Sequence, residues 1–140
     1  MKPKLLIFDG LDRVGKTTTI KKVWKARGCI DSCIDRGILS NLVYNNCFDR
    51  DVDRESYLEL MPDSVNVIYI YMYADAKVIK QRAIDSNDDG YTLEELEKQA
   101  LVFDDAFTWL SCQYDNVSFL TVDASGAQDE VVNWILKEIE

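Results

Sequence analysis

Residues 10–17, Gly10-Leu11-Asp12-Arg13-Val14-Gly15-Lys16-Thr17, fit the spacing G-x-x-x-x-G-K-[ST] at every fixed position. Those residue types at that spacing suit the binding of a chain of phosphates. The glycines let the backbone turn tightly, so that successive N–H groups converge on phosphate oxygens. Lys16 can reach β- and γ-phosphates, and the Thr17 hydroxyl can ligate Mg²⁺. The N-terminus of a following helix adds its partial positive charge. Gly10, Asp12, Arg13, Val14, Gly15, Lys16, Thr17 and Thr18 are therefore the candidate phosphate-binding set.

A strand must deliver such a loop and a helix must receive it, and the flanking residues predict both. Residues 4–9 form a short apolar run that reads as a buried strand. Residues 17–27 place Ile20, Val23, Trp24 and Arg27 at helical spacing, closed by Gly28. A second strand is predicted over 29–35, with Cys29 and Cys33 on one face, then short helices over 38–46 and 53–61, the latter stopped by Pro62. Residues 65–73 are the strongest strand signal, rich in β-branched and aromatic residues. Asp75 caps a helix over 76–84, residues 85–91 form a polar loop, and Thr92 with Glu95 makes a capping box for a long helix to 112. A last strand over 117–122 and an amphipathic helix over 128–140 close the chain. The order β-α-β-α-α-β-α-α-β-α predicts an α/β fold with a parallel sheet covered on both faces. At 140 residues the chain is expected to form a single domain.

Composition narrows the partners. Hydrophobic residues make up 47% and charged residues 29%, the profile of a folded globule. With 16 basic and 25 acidic residues the net charge is −9, which repels long nucleic acids and anionic membranes. There is no His, which removes His ligands, His bases and His-dependent triads. The 4 cysteines contain no CxxC pair and read as reduced thiols of a cytoplasmic protein. No apolar run approaches the ~18–20 residues of a membrane span. Residues 85–90 imitate the first half of a calcium loop, but position 12 is Leu96 rather than Glu, so a polar turn is expected.

Residues 8–18 (Phe8-Asp9-Gly10-Leu11-Asp12-Arg13-Val14-Gly15-Lys16-Thr17-Thr18) resemble the start of thymidylate kinase and its nucleotide-kinase relatives. Asp35-Arg36, followed by Ser40 and Tyr44, is similar to that family's second motif. Tyr73-Ala74-Asp75 with Arg82 is similar to the segment leading into its lid, and Ala124-Ser125-Gly126 to its adenine-side loop. The resemblance implies a three-layer α/β/α P-loop fold and transfer of the γ-phosphoryl group of ATP, with Mg²⁺, to a nucleoside monophosphate. It implies Lys16, Arg13, Asp35 and Asp12 as catalytic residues, and Thr17 and Asp35 as metal ligands. Asp9, Arg36, Ser40 and Tyr44 would lie on the acceptor side, and a homodimer is plausible. A nucleoside or polynucleotide 5′-kinase, or a non-catalytic ATP- or GTP-binding regulatory module, is the alternative.

The chain departs from that family in two ways. Gly28 and Cys29 leave no room for the family's strand and helices before the Asp-Arg strand, so about four strands are expected, and the shortened form suggests a phage or viral source. Arg50, Arg54 and Tyr57 join Tyr44 as candidates for the reduced acceptor pocket. The lid has no Lys or Arg from 83 to 97, and Arg13 is expected to supply the missing cation from the loop. Phe103, Phe107 and Trp109 are expected to leave an apolar patch for dimerisation.

Overall fold

The computed structural model describes residues 2–11, 13–47, 53–62, 66–88 and 90–140. Four strands, β1 (Leu5–Gly10), β2 (Ser32–Asp35), β3 (Val67–Tyr73) and β4 (Val117–Asp123), form one parallel sheet in the order β2-β1-β3-β4. Among the described residues five α-helices connect and close it: α1 (Lys16–Ala26), α2 (Ile38–Cys47), α3 (Ala76–Asp85), α4 (Leu93–Ser111) and α5 (Gln128–Glu138). The two central strands are buried almost throughout, which is why they read as continuous apolar runs. Alternation along them sorts the core into two layers. Ile7, Asp9, Tyr69 and Tyr71 face α2 and α4, where Tyr71 stacks on Phe103 with centroids 5.9 Å apart. Leu6, Phe8, Ile68, Ile70 and Met72 face the opposite layer, where α1 and α5 pack together.

Helix ends follow the sequence closely. Asp75 accepts a hydrogen bond from Lys77 N at 2.8 Å, and Thr92 with Glu95 forms both bonds of the capping box, each 3.1 Å. Residues 53–61 differ in kind. Arg54–Leu60 is a 3₁₀ helix capped by Asp53, none of its residues is fully buried, and only Tyr57 and Leu58 pack half-buried against the core, so little packing favours the wider α-helical turn. Of the three residues expected in an apolar patch on α4, Phe103 is fully buried, while Phe107 and Trp109 are half-buried, Phe107 packing on Tyr71 and Phe119. Among the described residues, no helix is long and apolar enough to cross a membrane.

The second strand is shorter than its sequence suggests. Gly28 and Cys29 both take positive φ, 74° and 61°, as the chain turns out of α1. Cys29 is thus an exposed turn residue and does not share a strand face with Cys33. A buried ion pair fixes this turn. Arg27 holds Asp31, and Arg27 also donates to Lys2 O at 3.0 Å while Asp31 accepts from Lys4 N at 2.9 Å. The turn is thereby tied to the start of β1, and β2 joins the ladder only at Ser32.

Burial pushes the Asp31 carboxyl up, but the hydrogen bond from Arg27, with help from Lys4, outweighs it and holds the carboxyl below its ordinary value. Such a group stabilises the fold above its unfolded pKa of about 3.9 and loses that contribution as pH falls through the lower folded value. Urea unfolding should therefore find Asp31→Asn less stable than wild type at pH 7 by about 3 kcal/mol, the gap closing below about pH 4. Gly37 tests the packing of the other layer. A Cβ there would lie 2.8 Å from the Tyr69 hydroxyl and 2.9 Å from Ile7 Cγ2, both buried and held. Gly37→Ala should cost about 1–3 kcal/mol in the same measurement.

Candidate active site

β1 lies between β2 and β3, so the chain reverses direction across the sheet after β2. Ligands of open α/β sheets bind beyond the strand C-termini at such a switch point, and the glycine-rich segment begins there. Gly10 has φ 144°, and a Cβ on it would lie 2.0 Å from the Met72 carbonyl oxygen. The motif's first glycine is thus required by the pairing of β1 with β3 as well as by the turn. Gly15 caps α1 without a side-chain hydrogen bond, and no acidic residue occupies the first turn of that helix. Its N–H groups remain open to an anion. Lys16 is 7% exposed and folds back over the loop, donating to Gly10 O at 3.1 Å and Leu11 O at 2.9 Å.

Beside the loop, the C-terminus of β2 supplies the second motif. The Thr17 hydroxyl donates to Asp35 Oδ2 at 3.5 Å. Arg36 follows with φ 69°, anchored by its N–H to Phe8 O at 2.8 Å, and its guanidinium lies 5.8 Å from the Tyr44 ring centroid. Thr17, Asp35, Arg36 and Tyr44 are therefore brought together at one rim of the loop. Thr18 is exposed in the first turn of α1. Val14 is buried under the loop. Asp12 and Arg50 lie outside the described residues. Arg54 lies over the Trp109 ring at 4.3 Å, and Tyr57 packs half-buried against the core.

Asp9 and Ser40, expected on the acceptor side, are instead interior. Asp9 is fully buried and accepts from Gly10 N (2.9 Å), Gly37 N and Ser40 N (both 3.1 Å), the Ser40 hydroxyl and the Tyr69 hydroxyl. With five donors on two oxygens, the carboxylate has no lone pair left to face a ligand. These two residues hold the site's framework. Tyr69 also accepts from Leu39 N at 2.9 Å. Burial first, and then the Asp9 charge and hydrogen bond, push its phenol well above the usual tyrosine value.

Arg13 also departs from expectation. Its guanidinium pairs with Asp88 of the acidic lid and not with the loop, and the residue takes φ 65°. Arg82, noted in the sequence only as a lid neighbour, has a larger part. It donates to Arg13 O at 3.0 Å and to Ala124 O at 2.9 Å, bracing the phosphate loop against the loop after β4. Between these loops opens a cleft of about 410 Å³, lined by Gly15, Thr19, Arg82, Gly126 and Gln128 among others. Helical spacing at the end of α3 gave no hint that Arg82 would bridge two loops distant in sequence.

No family model matches the chain, and no curated protein matches it. Solved structures do match. The YorR protein from Bacillus subtilis, crystallised in complex with phosphorylated GDP, superposes with a TM-score of 0.77 at 20% sequence identity, over 97% of this chain and 95% of that one. That likeness establishes the fold: a P-loop NTPase-like α/β fold with a four-stranded parallel sheet. The near-complete coverage both ways means that the compact layout is shared with YorR.

Asp9→Asn keeps the size of the side chain but turns one acceptor into a donor facing other donors. It should lower stability by about 2–4 kcal/mol in urea unfolding.

Proposed function

We propose that the chain is a compact nucleotide kinase that transfers the γ-phosphoryl group of ATP to a nucleoside monophosphate. The observation that carries this reading is the meeting of Thr17 and Asp35 with Arg36 and Tyr44 at one rim of the loop over which Lys16 folds. A loop and helix N-terminus that bind phosphates need only the first motif. A carboxylate and an arginine placed across from them give a second phosphorylated molecule somewhere to sit. In this reading Lys16 leaves the Gly10 and Leu11 carbonyls for the donor's terminal phosphates, and Arg36 grips the acceptor phosphate bidentately. Asp35 orients or deprotonates the acceptor. Arg13 helps to neutralise the transferring group only after parting from Asp88.

The donor set at Thr17 and Asp35 suits Mg²⁺. A hydroxyl and a carboxylate 3.5 Å apart are hard oxygen ligands, and an ion held by so few protein groups takes the rest of its shell from phosphate and water. Bound there, Mg²⁺ would offset the charge on the β- and γ-phosphate oxygens. The guanine nucleotide in the YorR crystal supports testing guanine compounds as donor and acceptor alongside the thymidylate and other deoxynucleotide candidates. The pairing of Arg13 with Asp88 favours a second reading, a nucleotide-binding module without transfer.

Radiolabelled ATP or GTP with Mg²⁺, offered every ribo- and deoxynucleoside monophosphate, decides between them. Transfer to one or a few acceptors is expected. Lys16→Ala should cut the rate by about 10²–10³, and Arg36→Ala should raise the acceptor KM more than it lowers kcat. Binding of the triphosphate with no transfer to any monophosphate would leave the module reading standing in place of the kinase.

A further inference from the structure

The C-terminal end of α3 grips Arg13 at two points. Arg82, in the last turn of that helix, donates to the Arg13 carbonyl at 3.0 Å, and the Arg13 guanidinium pairs with Asp88 just beyond it. The helix end also fixes where Asp88 stands. α3 closes in a Schellman cap: the Asn87 N–H donates to Ile84 O at 3.0 Å, and the Asp88 N–H donates to Ala83 O at 2.9 Å. Asn87 takes the left-handed conformation that such a cap needs, with φ 59°. Arg82 is held in turn by Ala124 O at 2.9 Å. One helix end therefore sets both the backbone of Arg13 and the carboxylate on its side chain.

We propose that Asp88 is an internal competitor of the nucleotide: it occupies Arg13 while the loop is empty, and the phosphates of a bound nucleoside triphosphate displace it. This rests on the reading above in taking a nucleoside triphosphate as the ligand of the loop. A triphosphate brings several negative charges to a place that already faces a carboxylate, and like charges at close range repel. The lid from 83 to 97 has no Lys or Arg to offset them. The pair is also placed to part. The Arg13 side chain is 36% exposed and that of Asp88 69%, and ion pairs so open to water are weak. Arg82 keeps the Arg13 carbonyl in place, so only the side chain has to swing, and Arg13 already lines the cleft beside the loop. Because the triphosphate and Asp88 exclude each other on Arg13, each weakens the other's hold by the same factor. Filling the loop thus releases the lid from it, and emptying the loop draws the lid back.

The test is a double-mutant cycle on Arg13 and Asp88, read as the affinity for Mg·ATP and Mg·GTP by calorimetry, which needs no phosphoryl transfer. Asp88→Ala removes the carboxylate and keeps the N–H that caps α3. Its gain in affinity has two parts, relief of plain repulsion and release of Arg13. In the Arg13→Ala background only the first part remains. The gain from Asp88→Ala should therefore be about two- to fivefold larger with Arg13 present than without it. Asp88→Asn, which keeps the size of the side chain, should move the same way, and circular dichroism checks that each variant folds. An equal gain in the two backgrounds means repulsion without competition and overturns this inference alone. A loss of affinity in Asp88→Ala also overturns it, since Asp88 would then present Arg13 to the ligand. Failure of wild type to bind either triphosphate overturns this inference and the kinase reading together. The expected coupling without any phosphoryl transfer upholds the inference and removes only the kinase.

Discussion

The site hangs on one buried carboxylate. Asp9 ends the buried run of β1 at the point where the phosphate loop begins, and its two oxygens receive five hydrogen bonds from four residues. A charge so far from water is tolerable only when fully satisfied. Its donors come from the loop's first glycine, the turn after β2, the first turn of α2 and the middle of β3. The position of each relative to the others is therefore set by a common acceptor. Remove the charge and the rim that carries Asp35 and Arg36 loses its fixed distance from the loop that carries Lys16 and Thr17. Gly37 and Tyr69 are held by the same constraint, the one by the absence of a side chain and the other by a phenol kept protonated.

Much of this was legible in the sequence, and the reasons are local. Strands buried on both faces read as apolar runs, and helices with a proper cap and a one-sided apolar arc read as helices. The motif at 10–17 specifies its own strand–loop–helix setting. Errors came where the deciding partner was far away in the chain. Asp9 was placed on the acceptor side by the resemblance alone; its donors lie up to 60 positions on. Cys29 looked like strand, and two consecutive left-handed residues made it turn. In each case local propensity was sound and a long-range contact or backbone constraint outweighed it.

The acidity of the chain and the chemistry of its site are reconciled by placement. A net charge of −9 disfavours polyanions over most of the surface. The few cations near the loop are each held in place: Lys16 by carbonyls, Arg36 by an aromatic ring, Arg82 between two loops, Arg13 by the lid. On the proposed reading a short phosphorylated ligand would meet these at close range, where individual contacts outweigh the distant field, while a long polymer would meet the field first.

The inward fold of Lys16 has a consequence for how the loop behaves when empty. An ammonium group in open water carries a hydration shell that any anion must strip away. Here the shell is already replaced by two peptide oxygens, and the side chain is almost hidden. Folding has thus met the dehydration cost ahead of any encounter, and a ligand exchanges one set of oxygens for another. The same arrangement shields the amine from acylating and carbamylating reagents. Of all the lysines in this chain, the one at the heart of the site should be among the slowest to react until a ligand draws it out.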